Sequence, residues 1–406
     1  MIAVTHKATR EQTKLHNKRL ILKLVYDQKL ISRADVARAT HLTATTVSTA
    51  IAELMSEGLV EEVGSISTDR GKPPILIQLI KDAKLVIALD LSRNVFRGAL
   101  LNLRGEVRYQ LDIAVENRTN EEALALVYQL IDELIAQSPT LIMGSGPVIG
   151  IGIGVPGIID IDRGYLHQAV NLGWYNLPLR DFLVQRYKLA AMVVNDNQAI
   201  VLAEHHFGEH EKQQHLVVIR VGNGIGAGML LNNQLLQSHG VGEIGHVVVQ
   251  ENGELCSCGN YGCLETVISN RAVIKQAQSI ARQNPASLLN QFASSPDAIT
   301  IDSIIQAIAA GDTTLQPLIE VVGQHLGSAI ANLIGVLGMT KILLAGRVAQ
   351  FGQPLLEIVK QEVCKRSLTA RLDPPVIDLV TIRPNISDTI VLGAATALLA
   401  DQLGLF

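Results

Sequence analysis

The N-terminal part of the chain places apolar residues at helical spacing in three separate stretches. The first, 14–27, predicts a helix. In the second, Ser32 can cap a helix, because Asp35 follows three residues later in the place of the usual capping-box Glu. The third runs roughly over 44–57 and ends at Gly58. Its expected core face consists of Val47, Ile51, Leu54 and Met55.

Two strand-like runs follow these helices. Residues 59–63 and 75–79 can pair around a tip, 69–74, that contains Arg70 and Lys72. Three short helices and such a hairpin are typical of a winged helix-turn-helix, whose third helix reads base edges while the wing contacts phosphate or the minor groove. The alternative is a three-helix protein-interaction module, but the pattern favours DNA binding. The expected reading residues on the polar start of the third helix are Thr45, Thr46, Ser48 and Thr49.

From about residue 83 the pattern changes to buried strands alternating with helices. Strands are expected at 85–91, 95–103 and 107–115, followed by a helix over 120–137 and a strand over 148–155.

A second series repeats this order, with strands at 215–221, 226–231 and 246–250 and with helices after them. The sequence therefore predicts an α/β fold with two lobes and a ligand cleft between them. The expected domains are a winged helix-turn-helix, a first lobe that includes the C-terminal helix, and a second lobe with an oligomerisation surface: 1–82, 83–195 with 389–406, and 196–388.

One stretch, 242–265, concentrates candidate metal ligands in the second lobe. It contains His246, Cys256, Cys258 and Cys263, one imidazole and three thiols, which is the complement of a closed tetrahedral zinc site. Such a shell leaves no position for a catalytic water, so the zinc is expected to be structural. The alternative is a reduced, metal-free cysteine loop.

Other candidate residues lie near strand ends. A glycine-rich turn, 222–228, could bring backbone amides close to a phosphate, or it could be merely a tight turn. Asp196 stands between two amides at a predicted strand end, where it could bind sugar hydroxyls or act as a general base. Alternatively, Asn195 or Asp196 could simply cap a helix. Trp174 is either the wall of a sugar site or a core residue.

Composition places this chain among globular proteins, with 48% hydrophobic and 18% charged residues. Three of the four cysteines lie within eight residues, which argues against disulfides and for a reducing cytoplasm. Neither a signal-peptide core nor a membrane-spanning run is apparent. Residues 1–80 hold eleven Lys and Arg against eight Asp and Glu, and 81–406 hold 23 against 30, which suits a DNA-binding module on an acidic body.

Several motifs together resemble the ROK family, which comprises repressors, open reading frames and sugar kinases. They are the cysteine stretch, G-E-I-G-H at 242–246, N-D-N-Q-A at 195–199, G-V-P-G-I-I-D at 154–160 and N-L-G-W at 171–174. The likeness covers nearly all of 83–406, and the N-terminal part is similar to that of the family's xylose and N-acetylglucosamine repressors.

The resemblance implies an actin-like, two-lobed sugar kinase fold and a sugar held in the cleft. The residues that it assigns to sugar hydroxyls are Asn171, Asn195, Asp196, Glu243, His246 and Glu265. His246 would bind zinc through its other ring nitrogen, and Asp196 would be the catalytic base in the kinases.

Two departures from the family's kinases bear on ATP binding. The phosphate loop Asp-X-Gly-X-Thr appears here as 90–94, with Ser92 for the glycine and Asn94 for the threonine. The late glycine pair appears as Gly346 followed by Arg347. A side chain now stands where nucleotide phosphates need bare backbone.

The expected function is therefore a cytoplasmic, sugar-responsive repressor and not an enzyme. Its expected partners are palindromic operator DNA and a sugar or sugar-phosphate effector, with no membrane, and its expected assembly is a homodimer or a dimer of dimers. One alternative is an ATP-dependent sugar kinase with an added DNA-binding domain. Another makes the body a docking surface for a protein.

Overall fold

The computed structural model describes residues 9–65, 74–92, 94–138, 146–209, 213–237, 240–382 and 386–406. The chain divides into two compact units. Unit 1 comprises Met1–Val194 and Ala394–Phe406, and unit 2 comprises Asn195–Gly393. Unit 1 thus contains both the winged helix-turn-helix and the first lobe, and the finer domain boundaries expected from the sequence stay a prediction.

The N-terminal part of unit 1 is a winged helix-turn-helix. The side chain of Ser32 accepts a hydrogen bond from the Asp35 amide and caps the second helix, as the sequence indicates. The strands form one antiparallel sheet in the order β1-β3-β2. The elements are α1 (Arg10–Gln28), β1 (Ile31–Ser32), α2 (Arg33–Thr40), α3 (Ala44–Ser56), β2 (Val60–Ser65) and β3 (Ile75–Leu79).

The core face of α3 differs from the predicted one at a single residue. Val47, Ile51 and Leu54 are fully buried, but Met55 is 37% exposed. At 100° per residue, Met55 lies about 40° beyond Ile51, outside one edge of the buried stripe, and Ala50 extends the stripe on its other side. Assigning Met55 to the core was wrong.

The body of unit 1 is a five-stranded mixed sheet in the order β11-β7-β4-β5-β6, with a small second sheet in the order β10-β9-β8. The central strand β4 is buried along its whole length and is apolar except for Asp90, whereas the edge strand β6 alternates between partly buried and exposed positions. The elements are β4 (Leu85–Leu91), β5 (Val95–Asn102), β6 (Val107–Ala114), α4 (Asn120–Gln137), β7 (Val148–Val155), β8 (Ile158–Asp160), β9 (Tyr165–Ala169), β10 (Trp174–Leu177), α5 (Leu179–Tyr187) and β11 (Ala190–Asn195).

Unit 2 is built on a second five-stranded sheet in the order β14-β13-β12-β15-β16, and helices supply the rest of its core. The elements are α6 (Asp196–Phe207), β12 (Leu216–Val221), β13 (Ile225–Leu231), β14 (Gln234–Leu235), α7 (Leu264–Ile268), α8 (Asn270–Gln283), α9 (Leu289–Phe292), α10 (Ile301–Ala309), α11 (Gln316–Leu337), β15 (Lys341–Ala345), α12 (Gln353–Arg366), α13 (Leu368–Leu372) and β16 (Val376–Leu379). The last helix, α14 (Ile386–Leu403), begins in unit 2, and its residues from Ala394 onward belong to unit 1.

The strand predicted at 246–250 does not form. A 3-10 turn, Ile244–His246, takes its place, and a single bridge joins Val248 to Cys263. The run of three valines has high β-propensity, but the backbone here turns so that His246 faces the cysteines. The tertiary requirement overrides the local preference.

Among the described residues, one helical stretch, Thr313–Leu337, is long and apolar enough by composition to cross a membrane. Half of that window is buried within the protein, and α11 contributes many residues to the core of unit 2. The apolar character of α11 is therefore that of a core helix.

Candidate functional site

The three cysteines and His246 come together in unit 2. Their ligand atoms all lie within 4.8 Å of one another. The Sγ atoms of Cys258 and Cys263 are 3.7 Å apart, and Cys256 Sγ is 3.5 Å from His246 Nδ1. Tetrahedral zinc, with bonds of about 2.3 Å to sulfur and about 2.0 Å to nitrogen, separates its ligand atoms by roughly 3.5–3.8 Å. The four residues are close enough to hold one metal ion of that size.

Electrostatics also favour a cation at this cluster. Cys263 is fully buried, and burial raises the pKa of its thiol to about 12, with further contributions from the neighbouring Cys258 and Cys256 thiols. A thiolate at this position therefore needs a positive charge beside it, which a bound metal supplies.

Tight backbone contacts shape the cysteine loop. Gly262 has φ +68°, and a Cβ placed there would lie 1.7 Å from the carbonyl oxygen of Gln250. Glycine is required at this position for both reasons. The Cys256 amide donates to the Asn260 carbonyl over 2.8 Å, and Cys263 stands at the N-cap of α7. The loop thus passes directly into the helix that carries Glu265.

Three carboxylates converge beside the cluster. Burial raises the pKa of Glu243, and the charges of Asp196 and Glu265 raise it further, while His246 lowers it. Glu243 Oε2 is 3.8 Å from His246 Nε2, so the ring nitrogen opposite the thiols faces the carboxylate. Glu265 is fixed by the Ile225 amide, which donates to its Oε2 over 3.1 Å.

The remaining predicted sugar-binding residues fall in different places. Asp196 is the first residue of α6, and Asn195 caps that helix in a capping box with Gln198. The helix-capping interpretation of Asn195 is therefore correct, whatever else this residue does. Asn171 belongs to unit 1, where it is exposed in a 3-10 turn. Trp174 is a core residue, 3% exposed, and its Nε1 donates to the Asn120 carbonyl.

One charged residue at this site was missed by the sequence analysis. Arg220, on β12, forms an ion pair with Asp196 Oδ2, and its Nε donates to Asn197 Oδ1 over 3.0 Å. The Asp196 side chain is only 6% exposed, so the pair is largely shielded from water. The available signal was an arginine inside an otherwise apolar strand, Leu216–Val221.

The residues that the resemblance places on the nucleotide side of a kinase form hydrogen bonds and ion pairs within this protein. Asp90 is fully buried, and Ser92 Oγ donates to both of its carboxylate oxygens over 2.8 and 2.9 Å. Arg347 forms an ion pair with Asp302 and a hydrogen bond with Gln350. Both side chains that replace family glycines therefore have partners within the protein.

The candidate DNA-reading surface lies on α3. Thr45, Ser48 and Thr49 are exposed, and Thr46 is partly exposed. Two of the four hydroxyls are already bonded, since Thr49 Oγ1 donates to the Thr45 carbonyl and Thr46 Oγ1 pairs with the Thr43 hydroxyl. The predicted wing residues Arg70 and Lys72 lie outside the described residues.

Comparison with known proteins identifies both parts of the chain. The ROK family matches residues 86–401, and a winged helix-turn-helix DNA-binding family matches residues 15–61. A protein named xylose repressor, from Caldicellulosiruptor bescii, is 32% identical over 390 residues, covering 95% of this chain and 96% of the relative. The DNA-binding transcriptional dual regulator NagC of Escherichia coli is 29% identical over 368 residues, covering 89% and 88%.

Solved structures agree with this assignment. A ROK family transcriptional regulator, described as a homolog of the E. coli MLC protein, superposes with a TM-score of 0.83 at 28% identity, covering 96% of this chain and 98% of that one. A ROK family glucokinase from Streptomyces griseus, crystallised with glucose and AMPPNP, gives a TM-score of 0.67 at 25% identity and covers 78% and 99%. The chain belongs to the ROK family, as a member in which a winged helix-turn-helix precedes the family's actin-like kinase-type fold.

Proposed function

We propose that this chain is a sugar-responsive DNA-binding repressor of carbohydrate-utilisation genes. Relatives named as xylose and N-acetylglucosamine repressors align with both the DNA-binding part and the ROK part. The glucokinase aligns with 78% of this chain, as a protein without the N-terminal module would. The similarity is therefore most complete with the regulators.

The effector is a sugar held by the carboxylate cluster of unit 2. Asp196, Glu243 and Glu265 accept hydrogen bonds from hydroxyls, and His246 contributes Nε2. Asn195, beside Asp196, completes the proposed set within unit 2. The role of Asn171 stays an expectation from the family resemblance. Asp196 and Glu265 are close enough for their charges to raise the pKa of Glu243, and this proximity supports a common ligand for the three carboxylates.

The metal is a structural zinc ion. Three thiolates and one imidazole fill a tetrahedral shell, so His246, Cys256, Cys258 and Cys263 would hold the ion without an open position. Its contribution is to fix the loop that carries Glu243 and Glu265 on either side of the ligands.

The chain is not an enzyme. Phosphoryl transfer depends on positioning and neutralising the phosphates. Ser92 binds the Asp90 carboxylate where the family's kinases have glycine, and Arg347 replaces the second glycine of the late pair. The second candidate, an ATP-dependent sugar kinase with an added DNA-binding domain, is favoured only by the retained Asp196.

The proposed regulator works as a cytoplasmic homodimer, or a dimer of dimers, on a palindromic operator. One recognition helix reads too few base pairs for genomic specificity, and two half-sites solve that problem. The α3 residues Thr45, Thr46, Ser48 and Thr49 would lie in the major groove, with Arg70 and Lys72 of the wing on the backbone or minor groove. Sugar binding shifts the population towards a state with lower operator affinity.

A single observation carries this proposal: a cluster of three carboxylates and a winged helix-turn-helix occur in one chain. The test is operator binding by the full-length protein, measured by fluorescence anisotropy with fragments from the region upstream of its own gene. Binding should weaken when D-xylose, D-glucose or N-acetyl-D-glucosamine is added, and Asp196→Asn should remove that response. A full-length protein that ignores these fragments at low salt would show that the proposal is wrong.

A further inference from the structure

Three features that usually hold a phosphate group lie beside the carboxylate cluster of unit 2, which consists of Asp196, Glu243 and Glu265. They are an arginine, a helix N-terminus and a glycine-rich turn. In this chain each of the three is already bound to a side chain of the protein. Because these groups are already bonded within the protein, they indicate whether the effector carries a phosphate. The proposed function leaves that point open.

The arginine is Arg220. Its Nη2 is ion-paired with Asp196 Oδ2, and its Nε donates to the side-chain oxygen of Asn197. The Asp196 carboxylate is 6% exposed and Arg220 is 23% exposed, so both charges are largely removed from water. A phosphate would have to compete with the shielded Asp196 carboxylate for the guanidinium of Arg220.

The helix N-terminus is that of α6, which is twelve residues long. The Asn197 amide donates to Asn195 Oδ1 over 2.8 Å and to Asp196 Oδ1 over 2.9 Å. The next amide, that of Gln198, is bonded to the Asn195 side chain in the capping box. The protein's own carboxylate and carboxamide thus take the place of an external anion.

The glycine-rich turn is bound in the same way. The Ile225 amide donates to Glu265 Oε2, and the Gly222 amide donates to the Gly224 carbonyl. A Cβ at Gly224 would lie 3.1 Å from Glu265 Oε2, so this carboxylate is seated against the turn itself. A phosphate at this turn would meet a carboxylate of like charge.

The cluster therefore presents acceptors, the oxygens of Asp196, Glu243 and Glu265, while the Arg220 guanidinium, the first amides of α6 and the Ile225 amide are already bonded within the protein. Sugar hydroxyls can donate to such acceptors, whereas a phosphate dianion cannot and is repelled. Building on the proposed function, we propose that the effector is an unphosphorylated sugar and that Arg220 is a positioning residue, which holds Asp196 as a fixed acceptor for its hydroxyls.

The experiment is calorimetry with the full-length, metal-loaded protein. The probes are D-xylose, D-glucose and N-acetyl-D-glucosamine, each tested beside its phosphorylated counterpart. At least one neutral sugar should bind, and its phosphorylated form should bind at least about tenfold more weakly. Tighter binding of a phosphorylated form overturns this inference and leaves the repressor proposal intact. Binding of no sugar in either form contradicts both.

The role of Arg220 is tested with the same neutral sugar. Arg220→Met should weaken binding about tenfold or more, because Asp196 loses the group that orients it, and Arg220→Lys should recover part of that loss. In a double-mutant cycle, Arg220→Met should add little to Asp196→Asn, because Arg220 acts through Asp196. The matched control is Arg97→Met in unit 1, which removes a similar two-point pair with Asp112 and should leave sugar binding unchanged.

Two results would overturn a positioning role. One is unchanged sugar affinity in a folded Arg220→Met protein. The other is a crystal structure of that variant in which the Asp196 carboxylate keeps its orientation, and this observation requires no bound sugar.

Discussion

A sugar kinase uses one set of residues to bind the sugar hydroxyls and another to bind the phosphates. The residues of this chain that correspond to the two sets differ in how they are bonded. On the hydroxyl side, Asp196, Glu243 and Glu265 are all present, and the charges of Asp196 and Glu265 raise the pKa of Glu243. On the phosphate side, Asp90 is fully buried and bonded to Ser92, a residue two positions away. The residues on the hydroxyl side form a group of carboxylates that a ligand could share. On the phosphate side, Asp90 is hydrogen-bonded to a neighbouring side chain of the protein.

This difference is what we expect if one half of a catalytic site is retained as a binding site. Hydroxyl recognition needs acceptors at fixed positions, and the metal-ligand loop supplies two of them on either side of its ligands. Phosphoryl transfer needs open backbone beside the phosphates, and Ser92 and Asn94 stand where the family resemblance places that backbone. Four measurements test this difference between the hydroxyl side and the phosphate side.

Removing a metal ligand should have the largest effect. We expect Cys258→Ser to lose the bound metal, because structural zinc contributes apparent binding energies of about 10–16 kcal/mol. The loop that carries Glu243 and Glu265 should then loosen, and sugar response should disappear before the fold does. Elemental analysis and sugar-dependent operator release measure the two effects. Cys364→Ser, on α12, is the matched control, and a purified wild-type protein without metal would refute this prediction.

Asp196→Asn should have the next largest effect. Losing one charged acceptor for a buried hydroxyl costs about 1.5–3 kcal/mol, or roughly ten- to a hundredfold in sugar affinity. Operator affinity without sugar should stay at the wild-type value. The control is Asp112→Asn, which should leave both sugar affinity and operator affinity unchanged. Unchanged inducer sensitivity in anisotropy titrations would mean that Asp196 does not contact the effector.

The wing should respond independently of both sets of residues. Arg70→Ala or Lys72→Ala should weaken operator binding and reduce the slope of log affinity against log salt by about 1 each. Thr45→Ala should instead change which operator sequence is preferred, because this residue faces the groove and not the phosphates. Sugar affinity should be unchanged in all three, and a salt titration of each variant checks the distinction.

The smallest expected signal is turnover. With ATP and the sugar panel, the wild-type protein should produce no ADP above background, because the phosphate loop is internally bonded. A sugar-dependent ADP signal that Asp196→Asn abolishes would promote the kinase alternative. Ser92→Gly tests the same point from the other side, since restoring one glycine should not by itself restore turnover while Asn94 and Arg347 remain.

The sequence was most informative where function depends on short spacing. The four metal-ligand candidates lie within eighteen residues, and their chemistry restricts the geometry, so their proximity could be predicted. The winged helix-turn-helix and the alternating α/β pattern were likewise apparent from periodicity. Local signals of this kind do not depend on knowing which distant elements meet.

Features set by tertiary contacts were not predictable in the same way. Arg220 reaches Asp196 across 24 positions, and only the three-dimensional arrangement of β12 and α6 reveals that they pair. The valines at 247–249 indicated a strand, but the position of His246 relative to the cysteines requires a turn just before them. The assigned roles in sugar and DNA recognition stay predictions until the variants are measured.

The placement of Trp174 has a practical consequence for spectroscopy. It is the single tryptophan of the chain, and its indole is buried in unit 1, with its N–H bonded to the Asn120 carbonyl. Intrinsic fluorescence excited at the indole band therefore reports on one known position. Its emission should be blue-shifted in the native protein and move to the red when unit 1 unfolds, while circular dichroism follows the secondary structure of both units together. Because Asn171 lies three residues away, a change in emission on adding sugar would give an optical titration of the effector without any attached dye.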